Sequence, residues 1–313
     1  MTELRLIRKI VRRNNKADSV KEEFKSDAQK GTARQPKPEG TILSSDSITE
    51  EDFMEREFPN RPFILKPWMK CGTLSILYAK RGIGKTWFSL ALAVAITRKQ
   101  LIGRWEPVTP VGCIYLDGEM PRDEIQARLK KLTNGLPPAQ APLSIISKEE
   151  IICNRGRIPD LGDEKWRNDL LDDLKNNSQY RLLIIDNLSC LLAKKNENIK
   201  QHWDDVNQWL LRLRANGIAA IVVHHAGKNG DQRGSSGHED NMDYSICLTK
   251  SQAFAMLRGP SMQIDFEKCR NLNEEESSSF SLRIVDTDKF HNRPWETTHN
   301  NNRMRGLLDM DDD

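Results

Sequence analysis

The sequence lacks the features of a secreted or membrane protein. None of its apolar runs approaches the roughly 18–20 residues that span a bilayer, and the basic N-terminus has no apolar segment of the kind that a signal peptide needs. The six cysteines are scattered and form no Cys-x-x-Cys pair, which indicates reduced thiols. These absences predict a cytoplasmic protein with no membrane partner.

The chain also has little excess charge of either sign. Its formal net charge is +3, so overall charge does not identify a nucleic-acid binder. The distribution is uneven, however, because residues 1–44 hold 11 Lys or Arg against 6 Asp or Glu, while four of the last five residues are Asp. Such ends favour solvated segments that meet partners. We therefore predict a basic, disordered head and linker (1–44), one large domain (45–290) and a polar, acidic tail (291–313).

Short β-branched runs alternate with longer helical patterns in the central part of the chain. The predicted strands are 73–78, 112–116, 143–146, 181–185, 218–223, 244–249, 262–266 and 280–285. The predicted helices are 85–98, 121–132, 163–176 and 203–216. This alternation predicts an α/β fold with a mainly parallel, twisted sheet and helices on both faces. The later strands have short connections, which predicts antiparallel strands at one sheet edge near the C-terminal end.

The strongest motif is a phosphate-binding loop between a predicted strand and a predicted helix. It matches the Walker A pattern except at the first position, where Ala replaces Gly, and it consists of Ala79, Lys80, Arg81, Gly82, Ile83, Gly84, Lys85 and Thr86, followed by Trp87. The glycines allow backbone N–H groups to point at phosphate oxygens. Lys85 is expected to reach the β and γ phosphates, and Thr86 to bind Mg²⁺. The predicted cofactors are therefore ATP and Mg²⁺; an ordinary glycine-containing βα turn is the alternative.

Two other predicted strands end in acids. One is an apolar strand closed by Asp186, which is the Walker B form, and Asp186 is expected to bind Mg²⁺ directly or through water. A carboxylate that only caps a turn is the alternative. Because no acid follows Asp186, the base that deprotonates the attacking water must come from elsewhere. We predict that Glu119 is this base, with Asp117 as an alternative base or as a residue that holds the turn.

A further predicted strand ends in two imidazoles, His224 and His225. A polar side chain at this position can contact the γ-phosphate and report its loss to neighbouring loops. A capped strand end and a metal ligand are the alternatives, although no Cys or His partner lies at ligand spacing. We predict a phosphate sensor at one of the two residues, and the sequence does not decide which one.

These segments together resemble the RecA/DnaB superfamily and, within it, hexameric plasmid-type replicative helicases. The resemblance covers roughly residues 60–285 and rests on the segments 79–86, 115–121, 183–187, 224–236 and 266–271. It implies a RecA-like P-loop NTPase core, with Lys85 and Thr86 on nucleotide and metal, Glu119 as the base and Asp186 on Mg²⁺. It also implies the phosphate sensor at the histidine pair.

The resemblance further implies that neighbouring subunits share a site. In DnaB-type proteins a Lys-x-Arg after the late strands reaches the ATP of the neighbouring subunit, and here Lys268 and Arg270 occupy this pattern. Arg270 is then the expected arginine finger, acting in trans, because a guanidinium there neutralises charge in the transition state. An exposed basic pair on an edge strand is the alternative.

A glycine-rich polar loop, residues 227–239, faces the central channel and touches single-stranded DNA in the resembled family. Lys228 and Arg233 are the candidates for contact with backbone phosphates, and Ser235 and Ser236 offer hydroxyl groups. The loop contains no aromatic residue, so this contact is expected to be electrostatic and independent of sequence. A solvated lid is the alternative.

The sequence therefore predicts a homohexameric ATPase that is stimulated by single-stranded DNA, as a replicative-type helicase of a mobile element. One alternative is an ATP-switched, recombinase-like mediator or loader that binds DNA without unwinding it, and another is a regulatory ATPase that acts on proteins. Residues 1–44 are too short and polar to form the separate N-terminal domain of larger replicative helicases. Together with the acidic tail, they are the candidate contact for a replication or loader partner.

Overall fold

The structure, a computed structural model, describes residues 43, 46–156, 158–192, 199–226, 241–287 and 293–299. The chain divides into two compact units, residues 1–61 and 62–313, and each is described by itself. The first unit contains helix α1 (Glu50–Met54). This helix begins after Thr49, whose hydroxyl accepts a hydrogen bond from the backbone amide of Asp52 and so satisfies a donor that the first turn leaves unpaired.

The second unit is built around two sheets. Its strands are β1 (Phe63–Lys66), β2 (Met69–Lys70), β3 (Leu74–Ala79), β4 (Glu106–Pro107), β5 (Gly112–Asp117), β6 (Leu143–Ser147), β7 (Tyr180–Asp186), β8 (Ala219–His225), β9 (Tyr244–Thr249), β10 (Ser261–Cys269), β11 (Phe280–Ile284) and β12 (Trp295–His299). Within the described ranges, a small antiparallel sheet has the order β2-β1-β4, and the large sheet has the order β12-β11-β10-β9-β3-β8-β7-β5-β6.

The large sheet is parallel from β9 to β6 and antiparallel from β9 to β12. Both expectations, a mainly parallel sheet and antiparallel strands at one edge, are confirmed. Strand β8 lies between β3 and β7. The carboxyl ends of the parallel strands therefore meet along one edge, which is where ligands bind in sheets of this kind.

Helices cover both faces of the large sheet. They are α2 (Lys85–Arg98), α3 (Arg122–Thr133), α4 (Lys148–Arg155), α5 (Glu164–Asn176) and α6 (Ile199–Ala215). Apolar side chains of α5 and α6 share a core with alternate residues of β3, β5, β7 and β8. Strand side chains alternate between faces, and the other face meets α2, where Ser89 contacts Tyr115 of β5. In the part of the chain that the structure describes, no helix has both the length and the apolar character to cross a membrane.

Six of these helices and strands were not predicted from the sequence: α1, β1, β2, β4, α4 and β12. Helix α4 has no buried residue and starts at Ser147, whose hydroxyl accepts a hydrogen bond from the Glu150 amide. Strand β12 lies in the stretch predicted to be a polar tail. It is anchored by Trp295, which is only 4% exposed and donates its indole N–H to the Leu101 carbonyl at 3.1 Å. Trp295 thus helps to hold this polar segment on the sheet, together with the pairing of β12 with β11.

Candidate active site

The loop between β3 and α2 has a backbone that requires glycine at two positions. Gly82 has φ of 82° and Gly84 has φ of 111°, values in the left-handed region that other residues rarely adopt. A Cβ atom at Gly84 would also lie 2.7 Å from the Met262 methyl group. The loop leads into the N-terminus of the 14-residue helix α2, where the free N–H groups and the helix dipole favour an anion. The predicted phosphate loop therefore has the geometry of an anion-binding turn.

The ammonium group of Lys85 lies inside this loop. Lys85 is buried, and its Nζ donates to the carbonyl oxygens of Ala79 at 3.2 Å and Lys80 at 3.4 Å. Burial lowers the pKa of Lys85, while the nearby Asp186 and Glu119 carboxylates raise it. The direct hydrogen-bond partners of this ammonium group are thus neutral carbonyl oxygens, and a phosphate in the loop would supply an anionic one.

Asp186 and Thr86 meet beside the start of α2. The buried Asp186 carboxylate accepts hydrogen bonds from the Tyr115 hydroxyl at 2.5 Å and from the Thr86 hydroxyl. The Tyr115 hydroxyl also lies 3.1 Å from the Ser89 hydroxyl of α2. Burial raises the pKa of Asp186, so its charged form gains from a cation at this position.

The donor set fits magnesium bound together with a nucleotide. Carboxylate and hydroxyl oxygens are ligands that Mg²⁺ takes, and its remaining positions are usually filled by water and phosphate. Among the described residues, no cluster of three or more His, Cys, Asp or Glu side chains holds a metal by itself. Thr86 and Asp186 would therefore hold Mg²⁺ with the phosphates, and the ion would neutralise charge between the β and γ phosphates.

Glu119 lies at the same edge of the sheet and remains open to solvent. Its side chain is 53% exposed, and its Oε2 lies 3.6 Å from His225 Nε2. The Asn187 side-chain amide donates to Glu119 and lies 3.2 Å from the same His225 nitrogen. An amide nitrogen donates, so this contact fits an accepting Nε2 on a neutral His225. Burial, followed by the charge of Lys85, lowers the pKa of His225, which favours the same neutral form.

The structure brings His225, and not His224, to Glu119. Successive side chains of β8 point to opposite faces of the sheet, and it is the His225 ring that lies 3.6 Å from Glu119 Oε2. Sequence alone left the choice between the two histidines open. His225 is therefore the member of the pair that is placed to respond to a change at Glu119.

Asp117 is the second buried acid at this edge. It ends β5 directly opposite Asp186 at the end of β7, and it is 1% exposed. One of its oxygens accepts a hydrogen bond from the Met120 amide at 3.1 Å, which holds the turn after the strand. Burial, followed by the charge of Asp186, raises the pKa of Asp117 to about 7. It is less suited than Glu119 to contact the attacking water because it is enclosed.

The raised pKa predicts that Asp117 destabilises the metal-free protein as the pH rises. The ordinary carboxyl pKa is 3.8 and the folded value is about 7, so between these values the folded chain keeps a proton that the unfolded chain has released. The free energy of unfolding therefore falls across this window. In EDTA, we expect wild-type protein to lose up to about 4 kcal/mol more than Asp117→Asn across it, as measured by urea unfolding. Identical pH profiles would contradict this expectation.

Lys268 and Arg270 lie far from the loop of their own chain. Cys269 pairs with Tyr244 on β9, and Tyr244 pairs with the start of β3. At a rise of about 3.3 Å per residue, this places the basic pair about 16 Å from the phosphate loop along the strand. The side chain of Arg270 is 50% exposed. The structure therefore separates these residues from the acids and the loop that it brings together.

Asp243 connects Arg270 to the strand that carries the loop. One Asp243 oxygen lies 3.8 Å from Arg270 Nη1. The other accepts a hydrogen bond from the Leu74 amide at 2.9 Å and from Arg214 Nη2 at 2.8 Å. The first residue of β3 and the guanidinium of Arg270 are thus held by the same carboxylate.

The remaining predicted contacts are placed as follows. Lys80 and Arg81 are exposed on the loop, and the Ile83 amide donates to the Lys80 carbonyl at 3.4 Å. Trp87 lies in the first turn of α2, where the Arg128 guanidinium is 4.9 Å from its ring centre. The residues predicted to contact nucleic acid lie outside the described residues; they are Lys228, Arg233, Ser235 and Ser236.

Sequence reasoning missed the two side chains that orient the acids, Tyr115 and Asn187. Alternation along β5 places Tyr115 on the same face as Asp117, and Asn187 directly follows Asp186. From these sequence positions alone, both residues could have been predicted to lie next to the site. Their residue types gave no reason to do so, because neither a phenol nor an amide is required by the hydrolysis itself.

Glu119→Gln is expected to lower kcat by about 10²-fold, because the amide cannot accept the proton of the attacking water. Nucleotide affinity should change by less than about twofold, since Glu119 is half exposed and lies outside the loop. Steady-state ATP hydrolysis and ADP binding by fluorescence measure the two effects. Glu164→Gln, which removes an exposed carboxylate from α5, is the control. An unchanged kcat would exclude Glu119 as the base.

The fold and this site define a P-loop ATPase with a RecA-like core, since a glycine loop with a buried lysine and the carboxylate of Asp186 lie at the carboxyl ends of parallel strands. A family model described as AAA domain matches residues 38–231. The match spans more than half of the sequence, and the chain belongs to this AAA domain family.

Two solved structures are similar to the chain. The RadB recombinase has 16% sequence identity and a TM-score of 0.46, over 72% of this chain and 90% of the recombinase chain. A KaiC-like protein from the hyperthermophilic archaeon Pyrococcus horikoshii OT3 has 13% identity and a TM-score of 0.48, over 76% of this chain and 99% of the other. No curated protein matches the sequence significantly.

Proposed function

We propose that the protein is a homohexameric ATPase stimulated by single-stranded DNA, and that it works as a replicative-type helicase of a mobile element. The observation that carries this proposal is the separation of Arg270 from its own phosphate loop, at opposite ends of β3. A half-exposed guanidinium at that distance cannot reach the phosphates of its own chain. It can reach the site of a neighbour in a ring with head-to-tail contacts.

The composition of the site supports completion by a neighbour. Lys85, Thr86 and Asp186 would bind the phosphates and the metal from within the subunit. Glu119 accepts the proton of the attacking water, and its half-exposed side chain leaves this side of the site open. Arg270 of the next subunit, with Lys268 beside it, would neutralise the charge that develops on the transferred phosphoryl group.

The end of β8 offers a link from hydrolysis to DNA. His225, which contacts Glu119 and Asn187, lies two residues before the 227–239 loop. A change at the γ-phosphate that moves Glu119 therefore acts on the segment leading into this loop. In the proposal, Lys228 and Arg233 contact DNA phosphates there, Ser235 and Ser236 add hydroxyl groups, and contact does not depend on sequence. Residues 1–44 and the acidic tail remain the proposed contacts for a loader.

ATP hydrolysis with and without single-stranded DNA, measured beside native mass, tests the proposal. We expect single-stranded DNA to raise turnover, a native mass of about six 35.9-kDa chains, and ATP-dependent strand displacement that Lys85→Ala abolishes. DNA binding and hydrolysis without strand displacement would favour a recombinase-like mediator. Turnover that ignores DNA would favour a regulatory ATPase acting on proteins. A monomer with full activity would contradict the shared site.

A further inference from the structure

Two buried carboxylates, Asp117 and Asp186, lie side by side at the ends of neighbouring strands and point to the same face of the sheet. They are register partners on β5 and β7, and such strands are about 4.8 Å apart. The residues that alternate with them face the α5 and α6 core; these are Ile114, Leu116, Leu183 and Ile185. Both acids therefore point to the α2 face, where Thr86 lies at the start of the helix.

Holding the turn accounts for only one oxygen of Asp117. Its Oδ2 accepts a hydrogen bond from the Met120 amide at 3.1 Å. Its Oδ1 is fully buried and makes no hydrogen bond of ordinary length among the described residues, although the amide of Glu119 in the same turn, like that of Met120, lowers the pKa of Asp117. A buried carboxylate oxygen without a partner is costly, and nearly all such atoms in folded proteins are satisfied by protein or by ordered water. The amides of the turn therefore leave Oδ1 able to accept a hydrogen bond from a further partner.

We propose that Asp117 is a second carboxylate of the magnesium site, where its Oδ1 accepts hydrogen bonds from water molecules bound to the ion that Thr86 and Asp186 hold. Mg²⁺ usually keeps several of its waters when proteins bind it, and partners outside the first coordination shell fix these ligands. Asp117 is thus a positioning residue that adds negative charge beside the ion. The inference rests on the nucleotide site of the proposed ATPase and does not require DNA or a ring.

Binding of Mn²⁺ in the presence of saturating ADP, measured by electron paramagnetic resonance, tests the role of Asp117. Asp117→Asn keeps an oxygen that accepts from the Met120 amide but removes the charge, and Asp117→Ser keeps a smaller acceptor. We expect both variants to raise the Kd for Mn²⁺ by about 10- to 100-fold. Their ADP affinity in EDTA should stay within about twofold of wild type, because Asp117 does not touch the phosphate loop.

The control is Asp123→Asn, which removes an exposed carboxylate from the first turn of α3 and should leave the affinity for Mn²⁺ unchanged. Unchanged Mn²⁺ affinity in Asp117→Asn would overturn the inference and leave Asp117 as a turn residue. Loss of ADP binding in EDTA by both variants would also overturn it, since that result shows a structural role. If wild-type protein binds no ADP, the proposed ATPase function is refuted. This outcome differs from normal ADP binding with unchanged Mn²⁺ affinity, which refutes only the role of Asp117.

Discussion

Lys85→Ala is expected to abolish ATP hydrolysis, with kcat lower by about 10³-fold. Lys85 is buried, and its ammonium group lies within the loop at 3.2 Å from the Ala79 carbonyl. Its charge is therefore fixed where the negative charge of the triphosphate has to be neutralised, and alanine leaves this charge uncovered. Steady-state hydrolysis gives the loss in kcat, and titration with ADP gives the loss of affinity that accompanies it.

Lys165→Ala is the matched control for this change. Lys165 is exposed on α5 and pairs with Asp169 one turn away at 2.7 Å, so its removal takes away one positive charge without touching the loop. We expect wild-type turnover from this variant, because exposed pairs contribute little to stability. Wild-type turnover from Lys85→Ala itself would remove the basis for reading the protein as a nucleotide-driven motor.

Arg270→Ala is expected to lower kcat by about 10³-fold in the assembled protein, as for other arginine fingers. ADP affinity in one subunit should change little, because Arg270 lies at the opposite end of β3 from the loop. Arg258→Ala removes an exposed guanidinium from the segment before β10, at the other end of this strand from Arg270, and should retain wild-type turnover. The comparison distinguishes a specific finger from a general loss of positive charge.

Mixing Arg270→Ala with Lys85→Ala subunits tests whether the finger acts in trans. Each variant alone is expected to be inactive. In rings assembled from equal amounts, about a quarter of the interfaces join an intact loop to an intact finger, and hydrolysis should return to that extent. A finger that acts within its own chain predicts no recovery, because every subunit then carries one of the two defects.

The sequence predicted the centre of the fold because its signals are local. Strand β9 has the predicted bounds, Tyr244–Thr249, and helix α2 has the predicted bounds, Lys85–Arg98. An apolar run followed by a glycine loop and a helical pattern needs no distant partner to be recognised. The loop and the acids at the strand ends follow from the same signals, since parallel strands bring their carboxyl ends together.

The elements that sequence did not predict depend on distant contacts. Strand β12 exists because Trp295 is buried against a core that includes residues far away in the chain, with its indole bonded to Leu101. The orientation of Asp186 depends on Tyr115, and that of Glu119 depends on Asn187. Such pairings depend on the order of the strands in the sheet. Local sequence patterns do not determine that order.

The carboxylate of Asp243 has a mechanical consequence. It fixes the first amide of β3 and lies beside Arg270, while the far end of the same strand carries the phosphate loop. Strand β3, which pairs with β8 on one side and β9 on the other, thus lies between the phosphate loop and the region of Arg270. In a ring of the proposed kind, nucleotide binding at the phosphate loop of one subunit would therefore shift the Arg270 guanidinium that the same subunit presents to its neighbour.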